Sequence, residues 1–422
     1  MTTLYYCSFA IYLFVSVLYR TVYGSLPNGS ESPWAILSKI LTGTSAFLLI
    51  IKIILQTYTK RQLVLVGVLG VLVLINLLVS RWTLMVWLFL FVVAAKGVSV
   101  RRLARCSAIV IIPITVITIL LALSGCIENY QVVNVAGRTT LLGGISRYSL
   151  GFIHPNAFAS VSLEIMLSLM VLTEKRRKAV ALVTSVLIGV AVYAVTDSRG
   201  LLLVIFVVLL LQCASLVGKD SLKRWVLNGA VIAYIIVVSF TFLTAVLYDP
   251  SNKLLIMINK VMSNRIVFPH DFLMQGLLSP FGTAESLWPS RPNALGVDQF
   301  VIDNSFFFSV AAFGMVLGGL LLVSLLFFLL KMKKEDNLGP TAIGFTAFLA
   351  MGFMERTMLM VCINYFIIGI CCLLYGCRIS TLDDDKWPAD GPNEISLRGI
   401  LSRKKTLCAP KHQALADDFN ER

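Results

Sequence analysis

The chain has 422 residues, of which 58% are apolar and 14% charged, at a mean hydropathy of +0.85. Soluble domains average about 45–50% apolar and about 25% charged residues, and the interior of a chain this long cannot hide the surplus; a soluble globular protein is excluded, and lipid must solvate much of the surface. The net charge of +14 would suggest nucleic acid in a soluble protein, but the basic residues sit in short clusters between apolar runs, which is a topological pattern and not a nucleic-acid surface.

Runs of about 20 apolar residues, each able to cross roughly 30 Å of hydrocarbon as a helix, recur along the chain. They predict an all-α, polytopic membrane protein of about twelve spans: Leu4–Tyr23, Trp34–Gln56, Gln62–Ser80, Trp82–Val100, Cys106–Gly125, Ala157–Leu172, Ala179–Val195, Leu201–Val217, Trp225–Leu247, Ser305–Leu330, Thr341–Met354 and Met358–Cys377. The first run lacks a basic stretch before it and is long enough to stay as a span, which argues against a cleaved signal peptide. Lys96, near the end of the fourth run, can snorkel.

Alternate connections then sort by charge. Lys60 and Arg61; Arg101, Arg102 and Arg105; Lys175–Lys178; Lys219, Lys223 and Arg224; Lys331, Lys333 and Lys334; and the tail from Arg378 hold most of the Lys and Arg. Cytoplasmic loops carry that excess, so both termini are expected in the cytoplasm of a cell-membrane protein. A transmembrane domain over residues 1–377 would then carry two long outer loops, 126–156 and 248–304, and a flexible cytoplasmic tail over 378–422. Lys253–Met262 in the larger loop has the pattern of a helix lying at the interface. Nine cysteines and three histidines show neither a disulfide framework nor metal-ligand spacing.

The outer face collects the polar groups. The first long loop ends in Arg147-Tyr-Ser-Leu-Gly-Phe-Ile-His154-Pro155-Asn156, and the seventh and eighth spans meet at Thr196-Asp197-Ser198-Arg199-Gly200. The large loop carries Arg265, His270 and Asp271, then Asp298, and closes on Asp303-Asn304; the last two spans join through Glu355-Arg356. Each has a structural explanation. Pro155 suits a first helical turn, Asp197 or Ser198 and Asp303 or Asn304 suit helix caps, and Glu355-Arg356 suits a polar turn. The arginines are harder to explain so, because the outer connections are otherwise poor in basic residues. Guanidinium groups bind phosphate oxygens bidentately, and several on one face beside helix N-termini make an anion site suited to a lipid-linked phosphate or diphosphate. Glu164, inside the sixth span, is either functional or a helix–helix hydrogen bond.

Residues 147–156 resemble the "RxxxGFxHPN" signature of capsular and exopolysaccharide repeat-unit polymerases of the O-antigen polymerase/ligase superfamily. Thr196-Asp-Ser-Arg199-Gly is similar to that family's "T-x-S-R" turn. Arg265 followed by Leu277-Leu-Ser-Pro-Phe281-Gly282 is similar to its "GR…plfG" segment, with Asn264 in place of the usual glycine, and Asp303-Asn304-Ser-Phe with Gly314 is similar to "DN-x-(Y/F)…fG". The resemblance spans roughly Arg147–Leu373.

The resemblance implies a metal-independent glycosyltransferase without a cofactor. Its donor and acceptor would both be oligosaccharide repeat units on undecaprenyl diphosphate, and a flippase and a chain-length regulator would be pathway partners. Arg199 and Arg265, with Arg147 second, would hold the diphosphate; His154 or His270 would be base or orienter. Asn156, Ser198, Asp303, Asn304 and Glu355 would bind substrate. A ligase of the same superfamily shares most of these motifs. A flippase or other transporter should instead place polar groups at the membrane midplane, where this chain has only Lys52 and Glu164 as exceptions.

Overall fold

The computed structural model describes residues 1–25, 32–133, 146–173, 177–262, 265–289, 302–384, 387 and 394–396. Nearly all regular structure is helical. Thirteen helices matter for the site: α1 (Thr2–Leu18), α2 (Pro33–Leu55), α3 (Lys60–Ser80), α4 (Leu84–Val93), α5 (Val100–Leu123), α6 (Pro155–Leu172), α7 (Lys178–Thr196), α8 (Arg199–Val217), α9 (Asp220–Leu247), α10 (Lys253–Val261), α11 (Val267–Met274), α12 (Ser305–Lys334) and α13 (Pro340–Gly352). Among the described residues, eight are long and apolar enough to cross a bilayer: α2, α3, α5, α6, α7, α8, α9 and α12. Shorter apolar helices occupy the first, fourth, eleventh and twelfth expected spans. The twelfth is broken: 3-10 segments at Arg356–Leu359 and Tyr365–Ile370 precede a short helix, Cys371–Tyr375.

Local chemistry sets the helix starts. Ser32 accepts from Ala35 N ahead of Pro33, Thr59 and Gln62 form a reciprocal capping box, and Asn304 accepts from the N–H groups of Phe306 and Phe307. Burial sorts the long helices. In α3, Val64, Val68, Val71, Leu74 and Leu78 are exposed at helical spacing, which in a bilayer is a lipid-facing stripe. By contrast, α6 is 72% buried over its apolar window, so the helix that follows His154 sits inside the bundle.

Hydrogen bonds define the two ends of the bundle. At one end the start of α6 joins the α7–α8 turn and the segment after α13, through Arg147, Asn156 and Glu355. At the other, Arg224 pairs with Asp336 just past α12, and Glu335 accepts from Ile379 N. Lys52 belongs to this second end. It is 1% exposed and donates to the carbonyls of Ala94 and Lys96, while Gln56 donates to Val93 O at 2.7 Å. The 10-residue α4 ends early, and these two side chains satisfy the carbonyls it leaves open. Glu164 makes the helix–helix hydrogen bond, accepting from Ser107 Oγ at 2.5 Å.

A second break matters for the site. Gly314 interrupts α12 with φ +81° and ψ 167°, leaving helical N–H and C=O groups without intrahelical partners. The segment Ser279–Thr283 docks there and pairs with them: Met315 N donates to Ser279 O (3.0 Å), Val316 N to Pro280 O (3.1 Å) and Thr283 N to Ala311 O (3.0 Å). Asn76 of α3 adds bonds to Phe281 O (2.7 Å) and Ala312 O (3.1 Å). A Cβ on Gly282 would lie 2.1 Å from Ala312 O, and one on Gly314 would lie 2.3 Å from Gly282 N, so only glycine fits at either position.

Candidate functional site

The site forms where five stretches of chain meet at the first end of the bundle. Arg147 leaves a short two-stranded pairing of Gln131–Val133 with Ser146–Tyr148. Its Nε donates to Thr196 O and its Nη2 to Asn156 Oδ1, both at 2.6 Å. The Asn156 amide then donates to Glu355 Oε1 at 2.6 Å. Arg265 reaches the same carboxylate from the large loop, Nη2 to Oε1 at 3.2 Å, and lies 3.6 Å from Asp303 Oδ2. Its Nε and Nη1 are spent on Met354 O (2.8 Å) and Met262 O (3.2 Å). Ser305 Oγ holds the backbone carbonyl of Glu355 at 2.6 Å, and Asn304, besides capping α12, donates to Thr241 Oγ1 and Phe353 O.

Five of the ten site residues expected from the sequence are thus linked directly: Arg147, Asn156, Arg265, Asp303 and Glu355. The others have separate settings. Arg199 opens α8, and its Nη1 donates to Val261 O at 2.7 Å at an exposed position. Val261 ends α10, and Met262 O is taken by Arg265, so the two arginines hold adjacent carbonyls of one turn. Ser198 occupies the N-cap position of α8 without a side-chain cap bond. Asp197 is the left-handed C-cap of α7, at φ +46°. His154 is the N-cap of α6: its Nδ1 accepts from Asn156 N at 3.1 Å. His270 is tied to Ala245 O at 2.9 Å and packs edge-on against Tyr248. Asn304 is a capping residue. Asn264, Asp298 and Lys175 fall outside the described residues.

α10 runs from Lys253 to Val261, with Leu254, Met257 and Val261 exposed along one side, the form expected of a helix at an interface. Asn259 Oδ1 accepts from Ile266 N and Val267 N and so fixes the turn that carries Arg265.

Electrostatics follow from crowding. Glu355 and Arg265 keep only 13% and 10% of their side-chain surface exposed, and Asp303 32%. Burial raises the Glu355 pKa to about 7; nearby Asp303 adds to the rise, and the guanidinium groups of Arg265, Arg356 and Arg147 oppose it. Burial also raises Asp303, against the pull of Arg265 and Arg356. Loss of water around the His154 ring, with the charges of Arg147 and Arg265 added, lowers its pKa to about 4, although the residue as a whole stays exposed.

Arg356 was not among the expected site residues, yet it acts on both carboxyls and stacks over the Phe308 ring at 5.3 Å. Its signal was adjacency to Glu355 in an outer turn. Three guanidinium groups around two partly buried carboxyls leave a net positive field, suited to an anion.

Fold and site together define a polytopic α-helical membrane protein with a charged, partly buried polar site at one end of its bundle. Comparison with known protein families, with curated proteins and with solved structures finds no match to this chain.

Proposed function

We propose that this chain is a membrane glycosyltransferase that joins undecaprenyl-diphosphate-linked oligosaccharide repeat units into capsular or exopolysaccharide at the outer face of the cytoplasmic membrane. In this reading the acceptor hydroxyl oxygen bonds to the anomeric carbon of the donor glycan. The bond from that carbon to the phosphate oxygen breaks, undecaprenyl diphosphate leaves with the electron pair, and the hydroxyl proton passes to a base.

One observation carries the reading. Arg147, Asn156, Arg265, Asp303 and Glu355 lie on segments far apart in sequence, and the first four belong to motifs that resemble the polymerase family; all five form one connected polar network. A set of unrelated caps and turns would have no reason to converge. Arg199 supports it further. Among the described residues its side chain makes one hydrogen bond, to Val261 O, which leaves most of its five N–H donors for a ligand at a helix N-terminus, where phosphate oxygens are favoured. The exposed apolar side of α10 beside it suits a lipid carrier arriving from the bilayer.

Deleting the gene in the native host tests the reading. It predicts an accumulation of single lipid-linked repeat units and no long polymer. Long polymer left on its lipid carrier would assign the chain to the ligases, and repeat units held on the inner leaflet would assign it to flipping.

A further inference from the structure

Three groups at the site could in principle accept the acceptor's proton: His154, His270 and a carboxylate. His154 has its acceptor nitrogen committed, and His270, whose Nε2 keeps its lone pair, has no bond to the carboxylate network among the described residues. His154 Nδ1 accepts the N–H of Asn156 at 3.1 Å. In the neutral ring the proton must then sit on Nε2, and no free lone pair remains. His270 Nδ1 meets a carbonyl oxygen, Ala245 O, so it must donate there. That bond and the Tyr248 ring hold it against the end of α9.

Glu355 is arranged differently. Oε1 is fixed by two donors, Asn156 Nδ2 and Arg265 Nη2. The backbone is fixed as well, with Glu355 N on Met351 O at 2.9 Å and Glu355 O on Ser305 Oγ. Oε2 carries no hydrogen bond among the described residues, and it is not one of the sealed buried oxygens. One oxygen is therefore anchored and the other is presented, as a base needs if it is to meet a hydroxyl in a fixed orientation.

We infer that Glu355 is the catalytic base, with Oε2 taking the proton from the acceptor hydroxyl as its oxygen bonds to the anomeric carbon; this rests on the glycosyltransferase reading above. Asn156 and Arg265 are positioning residues in this scheme. The lifted acidity of Glu355 supports it, since a base works best when its pKa lies near the operating pH. Asp303 is the competing carboxylate. It is more exposed, and its ion pair with Arg265 is the longer, at 3.6 Å.

The test uses the full-length protein in lipid nanodiscs with a lipid-diphosphate-linked repeat unit. Polymerisation rate is measured against pH for wild type, Glu355→Gln, Glu355→Asp and Asp303→Asn, and donor binding by ligand-induced thermal shift. The wild-type rate should fall about tenfold per pH unit below about 7. Glu355→Gln should lose roughly 10²–10⁴-fold in rate, keep donor binding, and show a flat profile there. Glu355→Asp, which keeps a carboxylate, should retain the acid limb at a reduced rate, and Asp303→Asn should retain it as well. An acid limb that persists in Glu355→Gln, or one that vanishes in Asp303→Asn or Glu355→Asp, overturns the inference while leaving the glycosyltransferase reading intact. A wild-type protein that makes no polymer at any pH removes that reading itself.

Discussion

Asn156 and Glu355 lie 199 residues apart and are joined by a 2.6 Å hydrogen bond, Nδ2 to Oε1. The other end of the same amide accepts from Arg147. Asn156 therefore links a guanidinium to a carboxylate with its polarity aligned: oxygen toward the cation, nitrogen toward the anion. Neither an alanine nor a carboxylate can do both.

Asn156→Ala should break both links at once. A hydrogen bond to a charged group contributes roughly 1.5–3 kcal/mol, so a lowered melting temperature accompanied by loss of polymer is expected. Asn156→Asp should be worse for activity, because it places a carboxylate against Glu355. Activity in Asn156→Asp equal to wild type would show that the link has no role in the site.

Arg199→Ala and Arg265→Ala should both abolish detectable polymer, for different reasons. A lost anion contact in a dehydrated site costs roughly 3–4 kcal/mol, or 10²–10³ in rate. Arg265 also holds Met354 O, Met262 O and Glu355, so its variant should melt earlier; Arg199→Ala should melt like wild type. Lysine at either position keeps charge but not the planar fork and should fall between. Arg224→Ala, at the opposite end with an exposed ion pair, serves as a tolerated control, since such pairs contribute little.

Glu355 also predicts a pH dependence of stability. Its carboxyl holds its proton more tightly in the folded chain than at the ordinary value of 4.5. Its contribution is therefore fully present below about 4.5 and is lost as pH rises through about 7. The wild-type melting temperature should fall between pH 5 and pH 8 relative to Glu355→Gln. Parallel curves for the two proteins would contradict it.

Gly282→Ala and Gly314→Ala should both fail to accumulate in the membrane, because an added Cβ meets backbone atoms at 2.1 Å and 2.3 Å. Gly319→Ala, further along α12, meets nothing within 4 Å and should insert normally. Immunoblots of membrane fractions decide this.

Orientation is open to labelling in intact cells, in a background free of native cysteines. A cysteine at position 285 should react with an impermeant reagent, and one at position 334 should be protected. The reverse pattern would invert the topology.

Much of this was legible in the sequence because lipid demands long apolar helices and charge marks their ends. Asn304 was readable as a cap. A helix close to the expected Lys253–Met262, observed over Lys253–Val261, and the convergence of polar groups at one end were readable too. The tasks of individual side chains were not. Nothing in the order of residues tells that His154 spends its nitrogen on Asn156 N, that Lys52 closes the end of α4, or that Arg356 acts on both carboxyls. The break of the last span also escaped, since Met358–Cys377 is apolar enough to read as one helix. Pairings between distant segments decide these matters, and hydropathy is blind to them.

The docking of Ser279–Thr283 into the break of α12 has a mechanical consequence. The loop that bears Arg265 is riveted to the bundle partway along its length: by backbone bonds at Gly314, by Asn76, and by the indole N–H groups of Trp82 and Trp288 on Thr283 O. It cannot swing as one flap. Any opening of this loop must divide at this rivet: α10 and α11, with Arg265, would move against α8 while Ser279–Thr283 stays docked.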